Sequence, residues 1–123
     1  MKLSDKKTVV IGASPNPDRY SYMAVARLQS KNIEVVPVGL RTGEVMGIQI
    51  LKGEPHIENV HTITLYMRAE LQKPLYSYLF SLQPKRIIFN PGTENPELEI
   101  LAHEKNIETL EACTLVMLSL GNY

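Results

Sequence analysis

Apolar residues come in short blocks along this chain, and the spacing inside each block changes with the element it predicts. Thr8 to Ala13 (Thr-Val-Val-Ile-Gly-Ala) runs without polar alternation, the pattern of a strand covered on both faces in a parallel sheet. It is expected at the centre. From Ser21 the spacing becomes helical, with Ser21, Ala24, Val25 and Leu28 on one face, Asp18 or Ser21 as N-cap and Lys31 near the end. Asn32 suits the left-handed conformation that closes a helix. Ile33 to Val38 predicts a second strand in which Pro37 removes a ladder donor, so this strand ends there or lies toward an edge. Residues 39–58 hold Gly39, Gly43, Gly47 and Gly53 between short apolar pieces such as Ile48-Gln49-Ile50-Leu51. They predict a loop with room for one short helix or strand.

Val60 to Met67 predicts a third strand whose partial alternation implies weaker burial. Pro74 opens a helix in which Leu75, Tyr78, Leu79 and Leu82 share a face. Lys85 to Asn90 is a fourth strand, ended by Pro91-Gly92. Asn95 caps and Pro96 begins a further helix, with Glu94, Glu97 and Glu99 at its positive end and Leu98, Leu101 and Ala102 facing inward. Ile107 to Leu110 is a fifth strand, and the tail from Thr114 is short and apolar. The segment Lys31-Asn32-Ile33-Glu34 returns as Lys105-Asn106-Ile107-Glu108. Because the surrounding loops differ, the echo reads as shared turn chemistry rather than a duplication. This order, with short connections, predicts an α/β domain: a doubly wound, parallel, five-stranded sheet with helices on both faces. Strands one and four are expected as neighbours, so that the loops Gly12–Arg19 and Asn90–Thr93 flank the crevice where ligands bind.

Composition narrows the function more than the fold. At 123 residues the chain is expected to form one domain, 1–123. Thirteen Lys plus Arg balance thirteen Asp plus Glu, so no overall field favours nucleic acid or an anionic membrane. A single Cys cannot form an internal disulfide, Met1 to Lys7 lacks an apolar signal-peptide core, and Ala112 to Leu120 is far short of a bilayer span. A cytoplasmic protein is expected.

The junction after the first strand carries the candidate chemistry. A strand, a tight loop and a helix start leave backbone N–H groups unpaired in front of the positive end of a helix dipole, which attracts phosphate. The loop is not the dinucleotide fingerprint, because Ser14 and Pro17 occupy the second and third glycine positions. An NAD site also wants an acidic residue after the second strand, where this chain has Val38-Gly39-Leu40-Arg41. Arg41 suits an extra ribose phosphate, either the 2′-phosphate of NADP or the 3′-phosphate of coenzyme A; the alternative is a solvated loop cation. His56, His61 and His103 fall on a loop, a strand and a helix without metal or nucleophile–base spacing. Ser14 has no base near it in sequence, and Cys113 reads as a small buried hydrophobe. No catalytic residue and no metal ligand is predicted.

Four stretches, VVIGASPNPDRYSY, VVPVGL, GEVMGIQ and EACTL, resemble the small stand-alone coenzyme A-binding domains related to the N-terminal domain of the succinyl-CoA synthetase α subunit. The resemblance covers nearly the whole chain and is most specific at Gly12-Ala13-Ser14, Pro17, Arg19 and Ser21-Tyr22. It implies a Rossmann-like fold holding coenzyme A or an acyl-CoA across the strand tips. By that likeness Gly12, Ala13, Ser14 and Arg19 meet the pyrophosphate, Arg41 supplies a basic contact, and Met67-Arg68 with Asn90-Pro91-Gly92 line the remaining wall. The chain departs from its relatives at Gly39-Leu40, where they carry Asn-Pro, and at Asn90-Pro91, where they carry a Gln-containing turn. The synthetase's phosphorylated histidine lies in a second domain that this sequence lacks. The expected function is therefore a non-catalytic binding or regulatory domain for coenzyme A. The alternatives are a small NADP-binding oxidoreductase, or an interaction subunit whose partner holds the catalytic residues. A homodimer or another protein partner is open to the apolar tail, Leu115 to Leu118.

Overall fold

The computed structural model describes residues 1–123. Its centre is a five-stranded parallel sheet: β1 (Thr8–Ile11), β2 (Val35–Val38), β5 (Thr62–Leu65), β6 (Arg86–Phe89) and β7 (Glu108–Glu111). Their order is β2-β1-β5-β6-β7. Between β2 and β5 lies a small antiparallel hairpin, β3 (Glu44–Val45) and β4 (Ile48–Gln49), turned at Met46 and Gly47, both with positive φ. The helices are α1 (Tyr20–Ser30), α2 (Ala69–Gln72), α3 (Tyr76–Ser81), α4 (Pro96–Glu104) and α5 (Thr114–Leu120). A 3-10 turn at Lys73–Leu75 links α2 to α3, so the helical segment after β5 begins before Pro74 rather than at it.

Period-two alternation sorts the strand side chains onto two faces. Val9, Ile11, Ile63, Leu65, Ile87 and Phe89 face one way, into a core completed by Tyr78, Leu79, Leu98 and Ala102 of α3 and α4. Val10 and Ile88 face the other way, against Val25 and Leu28 of α1 and Met117 and Leu118 of α5. Ser21, Ala24, Val25 and Leu28 are the buried residues of α1, as the helical spacing requires. The doubly wound α/β architecture expected from the element order is the one observed.

Four local expectations change. Strands one and four are not neighbours: β1 pairs with β2 and β5, and β6 lies one strand further out. The order reverses between β1 and β5, the alternative doubly wound arrangement that a list of elements cannot distinguish. The third strand is fully buried despite its threonines, because each hydroxyl is satisfied. Thr64 Oγ1 meets Thr114 Oγ1 at 2.7 Å and accepts from Asn90 Nδ2 at 2.6 Å, while Thr62 Oγ1 accepts from Arg86 Nε at 2.7 Å. The N-cap of α1 is Arg19, whose side chain makes no capping bond. The apolar tail is helix α5, seated on the sheet through Met117 and Leu118.

Other features follow the sequence closely. Pro37 lies in β2, an edge strand of the sheet. Asn95 Oδ1 accepts from Leu98 N at 3.1 Å and caps α4. Asn32 and Asn106 both take positive φ, and Ile33 N and Ile107 N donate back to Leu28 and Ala102 carbonyls at 3.1 and 2.9 Å. The repeated tetrapeptide is therefore a repeated helix exit. No helix is long and apolar enough to cross a membrane.

Candidate functional site

The chain leaves β1, β2 and β5 at the same end of the sheet, and a cleft of about 780 Å³ opens there. Close backbone packing forms its floor. Gly12 N and Ala13 N both donate to Val38 O, at 3.0 and 2.9 Å, and Tyr66 N donates to Ile11 O at 2.9 Å. A Cβ on Gly39 would collide with Ala13 O, and Gly12, at φ +91°, faces the Tyr66 carbonyl. Only glycine allows the β1 and β2 exits to cross this closely.

The loop after β1 is braced by its own side chains. Ser14 Oγ accepts from Asn16 N at 3.1 Å and Asn16 Oδ1 accepts from Asp18 N at 3.0 Å. The N–H groups of Ser14, Tyr20, Ser21 and Tyr22 have no partner within the chain. They lie on this loop and in the first turn of α1, where the helix dipole adds positive potential. Three arginines line the same cleft: Arg19, Arg41 and Arg68. Arg68 Nε is engaged by Glu70 at 3.0 Å, whereas Arg19 and Arg41 have no carboxylate partner. The opposite side is more apolar, with Met67, Leu71, Leu75 and Tyr78. Burial, and secondly the charge of Glu54, pushes the Tyr78 hydroxyl up to about 12. It stays protonated and donates to Pro55 O at 2.8 Å. No histidine or cysteine lines the cleft, and no group of three or more His, Cys, Asp or Glu side chains could hold a metal ion.

The family profile described as a CoA binding domain matches residues 6–119. The chain belongs to this CoA-binding domain family. An uncharacterized protein of known crystal structure is 51% identical to it, over 96% of this chain and 98% of that one, with a TM-score of 0.94. A hypothetical protein from Pyrococcus horikoshii OT3 is 22% identical, over 90% of this chain and 80% of that one, at a TM-score of 0.79. A protein from Thermus thermophilus is 20% identical, over 98% and 93%, at 0.78. These last two share the fold. No curated protein is similar enough to this chain to count as a match.

For a CoA-binding domain, the residues present fit a dinucleotide-like polyanion. Unpaired N–H groups and two unpaired guanidinium groups converge on one cleft, beside apolar side chains able to cover a base or a pantetheine arm. Gly12, Ala13, Ser14, Arg19, Arg41, Met67, Arg68, Pro91 and Gly92 all line that cleft. Pro17 and Asn90 do not. Pro17 forms part of the exposed turn between the Asn16 and Asp18 bonds. Asn90 is 3% exposed and turned away: Nδ2 donates to Thr64 Oγ1 and to Leu65 O, at 2.6 and 2.8 Å, and Oδ1 accepts from Thr114 N at 2.8 Å. It ties β6 to β5 and to the start of α5. The Gly92 N–H is occupied by the Glu94 carboxylate at 3.0 Å.

Sequence reasoning missed Glu54 and Leu71 among the lining residues and read Leu75 and Tyr78 as core, whereas Thr93 lies in the Asn90–Thr93 loop expected at the crevice and does line it. A helical stripe marks inward-facing positions without distinguishing a core from a cleft wall. It also missed Gln72, which is fully buried. Its Nε2 donates to Met67 O and Thr93 O, each at 2.8 Å, and its Oε1 accepts from Asn95 Nδ2 at 2.8 Å. One amide thus clasps the two loops that form the far wall.

Proposed function

We propose that this chain binds coenzyme A, or an acyl form of it, through the nucleotide and pyrophosphate, as a binding or regulatory domain with no catalytic group of its own. The carrying observation is the convergence of the unpaired N–H groups of Ser14, Tyr20 and Ser21 with the unpaired Arg19 and Arg41 in one cleft. The pyrophosphate lies against Gly12-Ala13-Ser14 and the start of α1, within reach of Arg19, and Arg41 takes the 3′-phosphate. Family membership supports the ligand class. Such a domain works in the reducing cytoplasm, where its one cysteine, Cys113, stays free.

Titration calorimetry and thermal melting with coenzyme A test this reading. At a hundredfold excess over the dissociation constant, the ligand is expected to stabilise the fold by about 2.7 kcal/mol. The absence of both heat and stabilisation at millimolar coenzyme A would refute it. Arg41 also suits the 2′-phosphate of NADP, so nicotinamide fluorescence on mixing with NADPH is the companion measurement; a change there without coenzyme A binding favours the oxidoreductase reading.

A further inference from the structure

The cleft contains an acidic residue that the order of elements along the chain conceals. Val38 and Leu51 form a parallel bridge, with Gly39 N donating to Leu51 O and Leu51 N to Pro37 O, each at 2.9 Å. Two segments therefore leave the β2 edge side by side and in the same direction. One leads in two residues from Gly39 to Arg41, the other in three residues from Leu51 to Glu54. Both charged side chains line the cleft. Gly53, at φ +75°, turns the second segment, and the Tyr78 hydroxyl anchors it through Pro55 O at 2.8 Å. Glu54 forms neither an ion pair nor a side-chain hydrogen bond with any residue, and it does not pair with Arg41. The other carboxylate of the cleft, Asp18, belongs to the loop after β1.

A cation and a carboxylate that share a rim without neutralising each other suit a ligand that presents an anion beside a hydroxyl donor. A ribose 3′-phosphate with its free 2′-hydroxyl is such a group. We infer that Glu54 sets which ribose hydroxyl may be phosphorylated: its carboxylate accepts from the 2′-hydroxyl of a 3′-phosphonucleotide held by Arg41, and repels a phosphate placed at the 2′ position. This inference rests on the coenzyme A reading and adds the specificity that Arg41 alone does not provide. The chain thus supplies, from a later loop, the acidic residue that the end of its second strand lacks.

Calorimetric titration of the intact chain with 3′,5′-ADP and with 2′,5′-ADP separates the two claims. Wild type is expected to prefer the 3′ isomer. Glu54 is exposed, so Glu54→Gln and Glu54→Lys should fold and melt as wild type does. Removing the charge is expected to reduce the preference about tenfold, chiefly by tightening 2′,5′-ADP, and reversing it should reduce it further. Equal binding of the isomers by wild type, or an unchanged preference in both variants, would overturn the role of Glu54 while leaving coenzyme A binding intact. Binding of neither isomer by wild type would overturn both.

Discussion

The two ends of the sheet use arginine in opposite ways. At the amino ends of the strands, Arg86 opens β6 and is 6% exposed. Its Nε donates to Thr62 Oγ1 at 2.7 Å, its Nη1 to Tyr123 O at 2.9 Å, and its guanidinium lies 4.3 Å from the centre of the Tyr123 ring, leaving Nη2 unpartnered. Lys6 Nζ reaches the same Tyr123 carbonyl at 2.7 Å, and the Tyr123 hydroxyl meets Thr8 Oγ1 at 2.6 Å. At the carboxyl ends, Arg19 and Arg41 are exposed and unpaired. A guanidinium withdrawn from water is costly unless the protein fills its donors, whereas one left in water keeps its donors for a ligand. Burial, not residue type, separates the structural arginine from the two left free to meet a ligand.

Substitutions at the two ends should separate the roles. The largest effect is expected at Gly39, where a side chain would collide with Ala13 O and force the floor of the cleft apart. Gly39→Ala should lower stability by about 3 kcal/mol in urea denaturation and abolish cofactor binding. A loss below about 0.5 kcal/mol would show that the two exits can spread freely. Next, Arg86→Ala should cost about 2 to 4 kcal/mol through lost hydrogen bonds and a cavity, while leaving the affinity of the folded protein for its ligand unchanged. Arg41→Ala should behave oppositely. Its melting temperature should match wild type, while coenzyme A binding weakens roughly tenfold and dephospho-coenzyme A binding changes little. Comparable stability losses from Arg86→Ala and Arg41→Ala would abolish the contrast, and equal losses of the two ligands would remove Arg41 from the 3′-phosphate.

The smallest effect concerns pH. Burial, then the charges of Arg86, Lys6 and Lys85, holds the pKa of His61 below its ordinary value, with Glu108 opposing. The unfolded chain therefore takes up this proton more readily than the folded one, so the stability His61 contributes is complete above the ordinary value and is lost as pH falls below it. The melting temperature of wild type should fall more steeply than that of His61→Gln between about pH 7 and pH 5. Parallel curves would show that His61 titrates alike in both states.

What was legible in the sequence depended on whether a residue's role was local. The uninterrupted apolar run of β1, the cap at Asn95 and the two asparagine helix exits are decided by neighbours in sequence, and all three are observed. The loop after β1 could be read as a phosphate cradle for the same reason. Strand order could not, because β2-β1-β5 and its alternative use the same elements with the same connections. The third strand was expected to be less buried because the partners of the Thr62 and Thr64 hydroxyls, Arg86, Asn90 and Thr114, come from distant segments. The hairpin from Glu44 to Gln49 turns on Met46-Gly47, which lacks the usual asparagine or aspartate signal. The cleft position of Glu54 and the clasp of Gln72 had no signal at all, since both arise only when separate loops meet.

The parallel pairing of β1 also sets when the cleft can exist. Thr8 pairs with Val35 on one side and Thr62 on the other, and the cleft wall runs as late as Thr93. During synthesis, a nascent chain holding the loop after β1 and α1 has one side of the cleft without its far wall. A complete cleft forms only after the chain through Thr93 has emerged and β5 has docked beside β1. If coenzyme A binds in this cleft as proposed, its capture would report on assembly of the sheet and could be coupled to folding only late in synthesis.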